Sequence, residues 1–135
     1  MRRIYVDTSH FVALLLPEDD LHDTAIGAIV SLRESRLVTS DPVLAEVLAY
    51  MSKRGSSART GAVALVDALR ADSRFTIVRQ TPRLFDDGLG LYRARADKGY
   101  SLTDCMSMVI CHRQHIREVL THDHHFGQEG FVALL

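Results

Sequence analysis

Residues 3–9 read RIYVDTS, and this stretch decides which fold the chain can adopt. Its β-prone part, residues 3–6, predicts a strand that ends at Asp7. Predicted strands are 3–6, 36–39, 74–78, 118–121 and 131–134, and predicted helices are 11–16, 21–34, 42–54, 56–71, 82–97 and 102–115. Because strands that are separated by helices pair in parallel through right-handed crossovers, we expect a three-layer α/β/α domain around a central parallel sheet of four to five strands.

Local signals predict where three of these helices begin. A hydroxyl at Thr8 or Ser9 is expected to cap the first helix. Asp41, which a proline follows, predicts an N-cap and a first helical residue for the third helix. Ser101, with Asp104 three residues later, matches a capping box at the start of the sixth helix.

Length and composition predict one compact domain, residues 1–135. The hydrophobic fraction of 47% is enough for a core, and no segment reaches the roughly 20 apolar residues of a membrane helix. Arg2 and Arg3 precede only a short apolar run, so we expect no signal peptide. Cys105 and Cys111 are separated by about 9 Å along one predicted helix, which is too far for a disulfide. Reduced thiols indicate a cytoplasmic protein.

Four acidic residues from distant parts of the sequence are predicted to meet at one edge of the sheet. Asp7 ends the first strand and Asp123 follows the fourth, so parallel pairing places both at the carboxyl edge. Glu46 lies in the second turn of the helix that leaves the second strand. Asp104 begins a helix antiparallel to the fourth strand, which returns it to the same edge. Open sheets of this kind bind their ligands there.

Each acid also has a structural alternative. Asp7 could accept hydrogen bonds from the backbone at the start of the next helix, and Asp104 could serve only the capping box. Glu46 could be a solvated helix residue, although it borders the apolar face of its helix. Asp123 could be a turn residue after the strand. The shared position of the four acids favours a functional site over four separate structural roles.

The chemistry of four clustered carboxylates predicts a metal site. Like charges in one cleft raise one another's pKa values, and a hard divalent cation relieves the repulsion. Oxygen ligands suit Mg²⁺ or Mn²⁺ better than Zn²⁺, and one or two such ions can activate a water for attack on a phosphodiester. The formal net charge of −1 neither indicates nor excludes a nucleic-acid substrate, because an acidic site offsets a basic rim in the sum.

Four short motifs carry a resemblance to a known family: VDTS at 6–9, LAEV at 44–47, LTDC at 102–105 and THDHHF at 121–126. In order and spacing, over nearly the whole chain, they resemble PIN-domain nucleases and especially the toxins of bacterial VapBC toxin–antitoxin pairs.

The resemblance implies an endoribonuclease that depends on Mg²⁺ or Mn²⁺. Its acidic metal site would be Asp7, Glu46 and Asp104, with Asp123 completing the site or helping to hold a second ion. The hydroxyls that support this site would be those of Thr8, Ser9 and Thr121. The resemblance further implies homodimers and an antitoxin whose C-terminal segment blocks the cleft.

Two rival functions remain open at this point. Asp7 could be the nucleophile of a haloacid-dehalogenase-like phosphohydrolase, although Ser9 stands where that class carries a second Asp. A PIN-like adaptor that binds RNA or protein without catalysis is the other rival.

Histidines and basic residues leave further alternatives. The histidines at 122–125 could touch phosphate at the rim of the cleft, or they could form a zinc site with His112 and His115. The basic patches at 53–59 and 93–98 could follow an RNA backbone or be solvated faces.

Overall fold

The computed structural model describes all 135 residues and contains one sheet. Its strands are β1 (Arg3–Val6), β2 (Arg36–Ser40), β3 (Phe75–Val78), β4 (Glu118–Leu120) and β5 (Val132–Ala133). They lie in the order β3-β2-β1-β4-β5, and every neighbouring pair is parallel. The predicted three-layer α/β/α class with a parallel sheet is confirmed.

Seven helices accompany the sheet: α1 (Thr8–Leu15), α2 (His22–Ser31), α3 (Asp41–Met51), α4 (Ser56–Ala71), α5 (Pro82–Ala94), α6 (Leu102–Arg113) and α7 (His124–Gln128). The predicted ends of α2, α3, α5 and α6 overrun the observed ones by two or three residues. The chain there continues only as single hydrogen-bonded turns, such as the one from Lys98 N–H to the Arg95 carbonyl. The sequence did not predict α7.

Two predicted helix caps are wrong by one position. Thr8 is already the first residue of α1, and Asp7 occupies the N-cap position, where its side chain accepts no capping hydrogen bond. Ser40 caps α3 by accepting from a backbone N–H three residues later at 3.4 Å. The Asp41 carboxylate instead accepts from the Arg79 side chain at 2.8 Å. The carboxylate of Asp7 is therefore not used to cap α1.

The central strand β1 is buried between the layers of helices. Ile4, Tyr5 and Val6 have no exposed surface, as expected of a parallel strand that is covered on both faces. The hydroxyl of Tyr5 is within 2.9 Å of Ser40 Oγ and 2.8 Å of Ser107 Oγ. These bonds satisfy the buried phenol and connect β1 to the end of β2 and to α6.

The connections of the sheet place the functional residues. The helix α1 follows β1 directly, and α3 follows β2 directly, so the first turns of both helices lie at the carboxyl edge. Both cysteines are free and buried, as predicted. No helix combines the length and apolar character that crossing a membrane requires.

Candidate metal centre

A cavity of about 310 Å³ opens at the carboxyl edge of the sheet, and all four predicted acids line it. The strand β1 delivers Asp7, α3 delivers Glu46, the first turn of α6 delivers Asp104, and the connection after β4 delivers Asp123. The other lining residues are Thr8, Ser9, Val12, Asp19, Tyr50 and His122. The structure thus brings together acids that lie as far as 116 positions apart in the sequence (7 to 123).

Asp7 is the most deeply buried of these acids, with 3% of its surface exposed. Its Oδ2 accepts a hydrogen bond from Thr121 Oγ1 at 2.9 Å and another from Ser9 Oγ at 3.4 Å. Its Oδ1 is buried with no hydrogen-bond partner in the protein. Burial raises the pKa of the Asp7 carboxyl to about 7, the Thr121 hydrogen bond opposes this rise, and the charge of Asp104 adds to it. A buried oxygen without a partner, such as Asp7 Oδ1, lowers the stability of the folded state unless a proton or a cation binds it.

Asp104 combines a structural role with a place in the cavity. The predicted capping box is present: Ser101 N–H donates to Asp104 Oδ2, and Asp104 N–H donates to Ser101 Oγ, each at 3.0 Å. His125 Nδ1 approaches the same Oδ2 at 3.3 Å, which leaves Oδ1 available to another ligand. Burial raises the pKa of Asp104, and the nearby Asp123 adds to the rise, while Ser101 and His125 oppose it. The two roles coexist.

His125 bridges two of the acids. Its Nδ1 lies 3.3 Å from Asp104 Oδ2 and 3.2 Å from Asp123 Oδ1. Asp123 caps α7 and accepts from the backbone N–H of His125 at 2.9 Å. The side chain of His124 is 76% exposed, whereas His122 lines the cavity. Sequence reasoning considered the histidines at the rim or on zinc and missed the bridging position of His125.

Glu46 reaches the cavity from the second turn of α3. It is half-buried, and it forms no hydrogen bond or ion pair with the protein. Its neighbour Val47 is fully buried, and Tyr50, one turn further on, also lines the cavity. The position at the border of the apolar face therefore directs Glu46 to the cavity, and its carboxylate remains available to a ligand.

The three predicted hydroxyls differ in what they contact. Thr121 Oγ1 donates to Asp7, accepts from the backbone N–H of Asp123 at 2.9 Å, and is 3.1 Å from Ser9 Oγ. Thr121 and Ser9 therefore fix the Asp7 carboxylate. Thr8 Oγ1 is buried without a hydrogen-bond partner, so the Thr8 hydroxyl does not support an acid by a direct hydrogen bond.

Asp19 is a fifth acid that sequence reasoning missed. It lies between α1 and α2, lines the cavity, and accepts from the backbone N–H of Leu21 at 2.9 Å. The acidic run 18–20 was the only signal, and the path of a connecting loop does not follow from periodicity. His112 and His115 are not part of the group Asp123–His125, whose ligand atoms lie within 4.8 Å of one another.

The donor set fits a hard divalent cation. Five carboxylates line the cavity, and no lysine or arginine does. Asp7 Oδ1 and Thr8 Oγ1 are buried without partners at the same cavity. Cations such as Mg²⁺ and Mn²⁺ prefer oxygen ligands of this kind and would neutralise the accumulated charge.

A family model described as the PIN domain matches residues 4–131. The chain belongs to the PIN-domain family. Among solved structures, this PIN domain is similar to VapC20 of Mycobacterium tuberculosis, which is described as a toxin that cleaves the sarcin–ricin loop. The TM-score is 0.85 and the sequence identity 26%, over 97% of this chain and 98% of that chain. The predicted family resemblance is confirmed.

Two more distant structures share the fold of this PIN domain. VapBC2 of Rickettsia felis, bound to a DNA fragment from its promoter, has a TM-score of 0.68 and 17% identity, over 98% of this chain and 97% of that chain. FitAcB of Neisseria gonorrhoeae has a TM-score of 0.64 and 16% identity, over 96% of this chain and 94% of that chain. No curated protein gives a significant sequence match.

Proposed function

We propose that this PIN domain, residues 1–135, is a divalent-metal-dependent endoribonuclease and the toxin of a type II toxin–antitoxin pair. The observation that carries the proposal is the meeting of Asp7, Glu46, Asp104 and Asp123 in one cavity that no lysine or arginine lines. Folding alone does not favour such a cluster, because each carboxylate raises the cost of ionising the next.

Mg²⁺ or Mn²⁺ is the proposed cofactor. Asp7, Glu46 and Asp104 would hold the principal ion, and Asp123 would complete the site or help to hold a second one. When bound, the ion supplies positive charge that stabilises the negative charge developing on a phosphodiester.

The protein's own residues would orient this site. Thr121 and Ser9 donate hydrogen bonds to Asp7 Oδ2. These bonds fix the plane of the carboxylate and therefore the position of its unpartnered Oδ1. His125 holds Asp104 and Asp123 at a fixed separation through one ring nitrogen. Such supporting contacts around metal ligands commonly contribute 10- to 100-fold in affinity or activity.

RNA is the proposed substrate, because VapC20, the similar structure at 26% identity, is described as cleaving the sarcin–ricin loop. In the proposed reaction water adds to phosphorus and one P–O bond breaks, which leaves a phosphate end and a hydroxyl end. By the same family reasoning we propose a homodimer, a cognate protein antitoxin and a cytoplasmic location.

Incubation of purified protein with total RNA and Mn²⁺ tests this function. We expect cleavage by the wild type and at least about 100-fold slower cleavage by Asp7→Asn and Asp104→Asn, since each removes charge stabilisation worth several kcal/mol. The matched control is Asp67→Asn, which removes the same charge from an exposed position on α4. It should cleave like the wild type.

Three results would contradict the proposal. Equal cleavage by the wild type and both site variants would identify a contaminating nuclease. Release of phosphate from p-nitrophenyl phosphate without cleavage of RNA would favour the phosphohydrolase that uses Asp7. Absence of both activities, together with RNA binding that ignores Mn²⁺, would favour the adaptor.

A further inference from the structure

A second, larger pocket lies beside the acidic cavity, at the connection between α5 and α6. Its volume is about 580 Å³. It is lined by three cationic residues, Arg93, Arg95 and Lys98, by two tyrosines, Tyr92 and Tyr100, and otherwise by small or apolar residues. No acidic residue lines it. Its charge is therefore opposite to that of the neighbouring cavity.

One wall of this tyrosine–arginine pocket is held rigidly. Arg95 donates two hydrogen bonds to the Glu129 carboxylate, at 3.0 and 2.8 Å, and Tyr100 donates a third at 3.0 Å. The Glu129 side chain is only 10% exposed. The ion pair of Arg95 with Glu129 thus attaches the connection between α5 and α6 to the end of α7. This attachment fixes the shape of the pocket wall.

The remaining charges of the pocket are available. Arg93 forms no ion pair, and Lys98 Nζ is 3.9 Å from Asp97, whose side chain is 79% exposed. An ion pair that is so exposed to water contributes little to stability. Tyr92 lines the pocket and is 51% exposed. Two cations and an exposed aromatic ring are thus left for a ligand.

His125 connects the pocket to the acidic cavity by direct contacts with residues of both. The ring of Tyr100 packs edge-on against that of His125, with centroids 5.4 Å apart. A Cβ added at Gly99 would lie 3.3 Å from His125 Nε2, so this part of the pocket touches the imidazole closely. The other ring nitrogen of His125 contacts Asp104 and Asp123. A single side chain therefore contacts residues that line both sites.

We propose that the tyrosine–arginine pocket is a subsite for single-stranded RNA, which stacks a base on Tyr92 and places backbone phosphates against Arg93 and Lys98. This inference rests on the proposed function, since it takes the strand to continue from the pocket into the acidic cavity. An acidic cavity alone repels a phosphate backbone, and neutralisation of phosphates by lysine and arginine supplies most of the affinity for nucleic acid. A base that stacks on a side chain must be unpaired, which selects a single strand.

Binding of a labelled RNA tests the subsite independently of cleavage. The probe is a fluorescein-labelled oligouridine of 12 nucleotides. Its binding is measured by fluorescence anisotropy in Mg²⁺ with Asp104→Asn protein, which the proposed function expects to cleave RNA at least about 100-fold more slowly than the wild type. In this background Arg93→Gln with Lys98→Gln should weaken binding about tenfold or more. It should also reduce the slope of log affinity against log salt by about 1.4, or about 0.7 for each phosphate contact.

Two further variants separate stacking from general charge. Tyr92→Leu should weaken binding at least about fivefold without changing the salt slope, because stacking is not ionic. The matched control, Arg33→Gln with Arg117→Gln, removes two exposed charges from the connections that precede β2 and β4, at the opposite edge of the sheet. It should bind within about twofold of the parent.

Three outcomes would overturn the subsite. The first is equal weakening by the pocket variant and the control, and the second is unchanged binding by Tyr92→Leu. The third is a glutamate-rich peptide that binds the pocket while oligouridine does not, which would assign the pocket to a protein partner. If no protein cleaves RNA but the expected binding pattern holds, the nuclease proposal fails and the subsite stands.

Discussion

The two edges of the sheet carry acids in opposite circumstances. At the amino edge Glu118 accepts two hydrogen bonds from Arg2, at 2.9 and 2.6 Å, and this partner lowers the pKa of the carboxyl. At the carboxyl edge Asp7 and Asp104 contact no lysine or arginine, and burial raises the pKa of both. Glu118 therefore has its counter-ion within the chain, and Asp7 and Asp104 have no lysine or arginine counter-ion.

This difference separates acids that serve the fold from acids that serve a ligand. An acid that folding alone requires finds its counter-ion within the chain, as Asp72 does in Arg74 at 2.9 Å. An acid that is buried without one costs stability, and natural sequences accept such costs mainly at functional sites. The comparison therefore supports the proposed site without reference to any related protein.

The largest expected effect is the response of stability to metal, which should belong to the carboxyl edge alone. A ligand at 1,000 times its Kd stabilises the folded state by about 4 kcal/mol, a rise in Tm on the order of 10 °C. We expect Mn²⁺ to produce such a rise in the wild type and in Asp67→Asn. Asp7→Asn should show almost none, and scanning calorimetry with and without EDTA measures all three. A rise in Tm of equal size in Asp7→Asn would show that the metal does not bind at the carboxyl edge, and it would contradict the comparison.

The next largest effect is expected on the pH dependence of stability in the absence of metal. Asp7 and His10 contribute to it with opposite signs. Burial raises the pKa of Asp7 from 3.8 to about 7, so this group stabilises less as pH rises through that range. His10 is fully buried with both ring nitrogens unpartnered, and burial lowers its pKa from 6.5 to about 4. Stability from His10 is complete above pH 6.5 and is lost as pH falls towards 4.

The two contributions, each roughly 3 kcal/mol, oppose one another between pH 4 and 6.5. Relative to the wild type, Asp7→Asn should gain stability as pH rises through this window, and His10→Leu should lose it. Urea unfolding at several pH values in EDTA checks both signs. Curves that stay parallel to the wild type would show that neither burial matters.

A smaller effect is expected from Thr121→Val, which keeps the shape of the side chain and removes the hydrogen bond to Asp7. A hydrogen bond to a charged group contributes about 1.5–3 kcal/mol, and the loss should appear in urea unfolding. Cleavage with Mn²⁺ should fall about 10- to 100-fold, as for other groups that orient a metal ligand. Thr121→Ser, which retains the hydroxyl, should restore most of the activity. Failure of this rescue would count against the orienting role.

The smallest effect is expected at the amino edge itself. Glu118→Gln breaks the pair with Arg2, and exposed pairs of this kind contribute about 0.2–1 kcal/mol. Cleavage of RNA should be unchanged, and urea unfolding should shift within that range. If Glu118→Gln lost more cleavage activity than Thr121→Val, the comparison between the edges would be contradicted.

The sequence predicts the fold well because the relevant signals are local or follow from handedness. The alternation of strands and helices implies parallel pairing, and a short connection before β4 implies that α6 returns Asp104 to the carboxyl edge. The start of α4 predicted at residue 56 or 57 and the end predicted near residue 71 agree with the structure. The helix α7 was missed because five residues that include Gly127 show no apolar period.

Details of the site depend on packing that no periodicity encodes. The acids themselves could be placed from topology, since each follows a strand or lies in the first two turns of a helix at the carboxyl edge. The bridging contact of His125 depends on how α7 turns after Asp123, and the position of Asp19 depends on the path of a loop. Asp7 was expected next to a hydroxyl cap, yet Thr8 lies within α1. That leaves one Asp7 oxygen without a partner.

Calorimetric titration of metal-free protein with Mn²⁺ tests most directly whether the distant carboxylates form one metal site. We predict saturable binding by the wild type and by Asp72→Asn, and binding at least about tenfold weaker in each of Asp7→Asn, Glu46→Gln and Asp104→Asn. Identical isotherms for the wild type and these three variants would contradict the account, because the acids would then not share a cation.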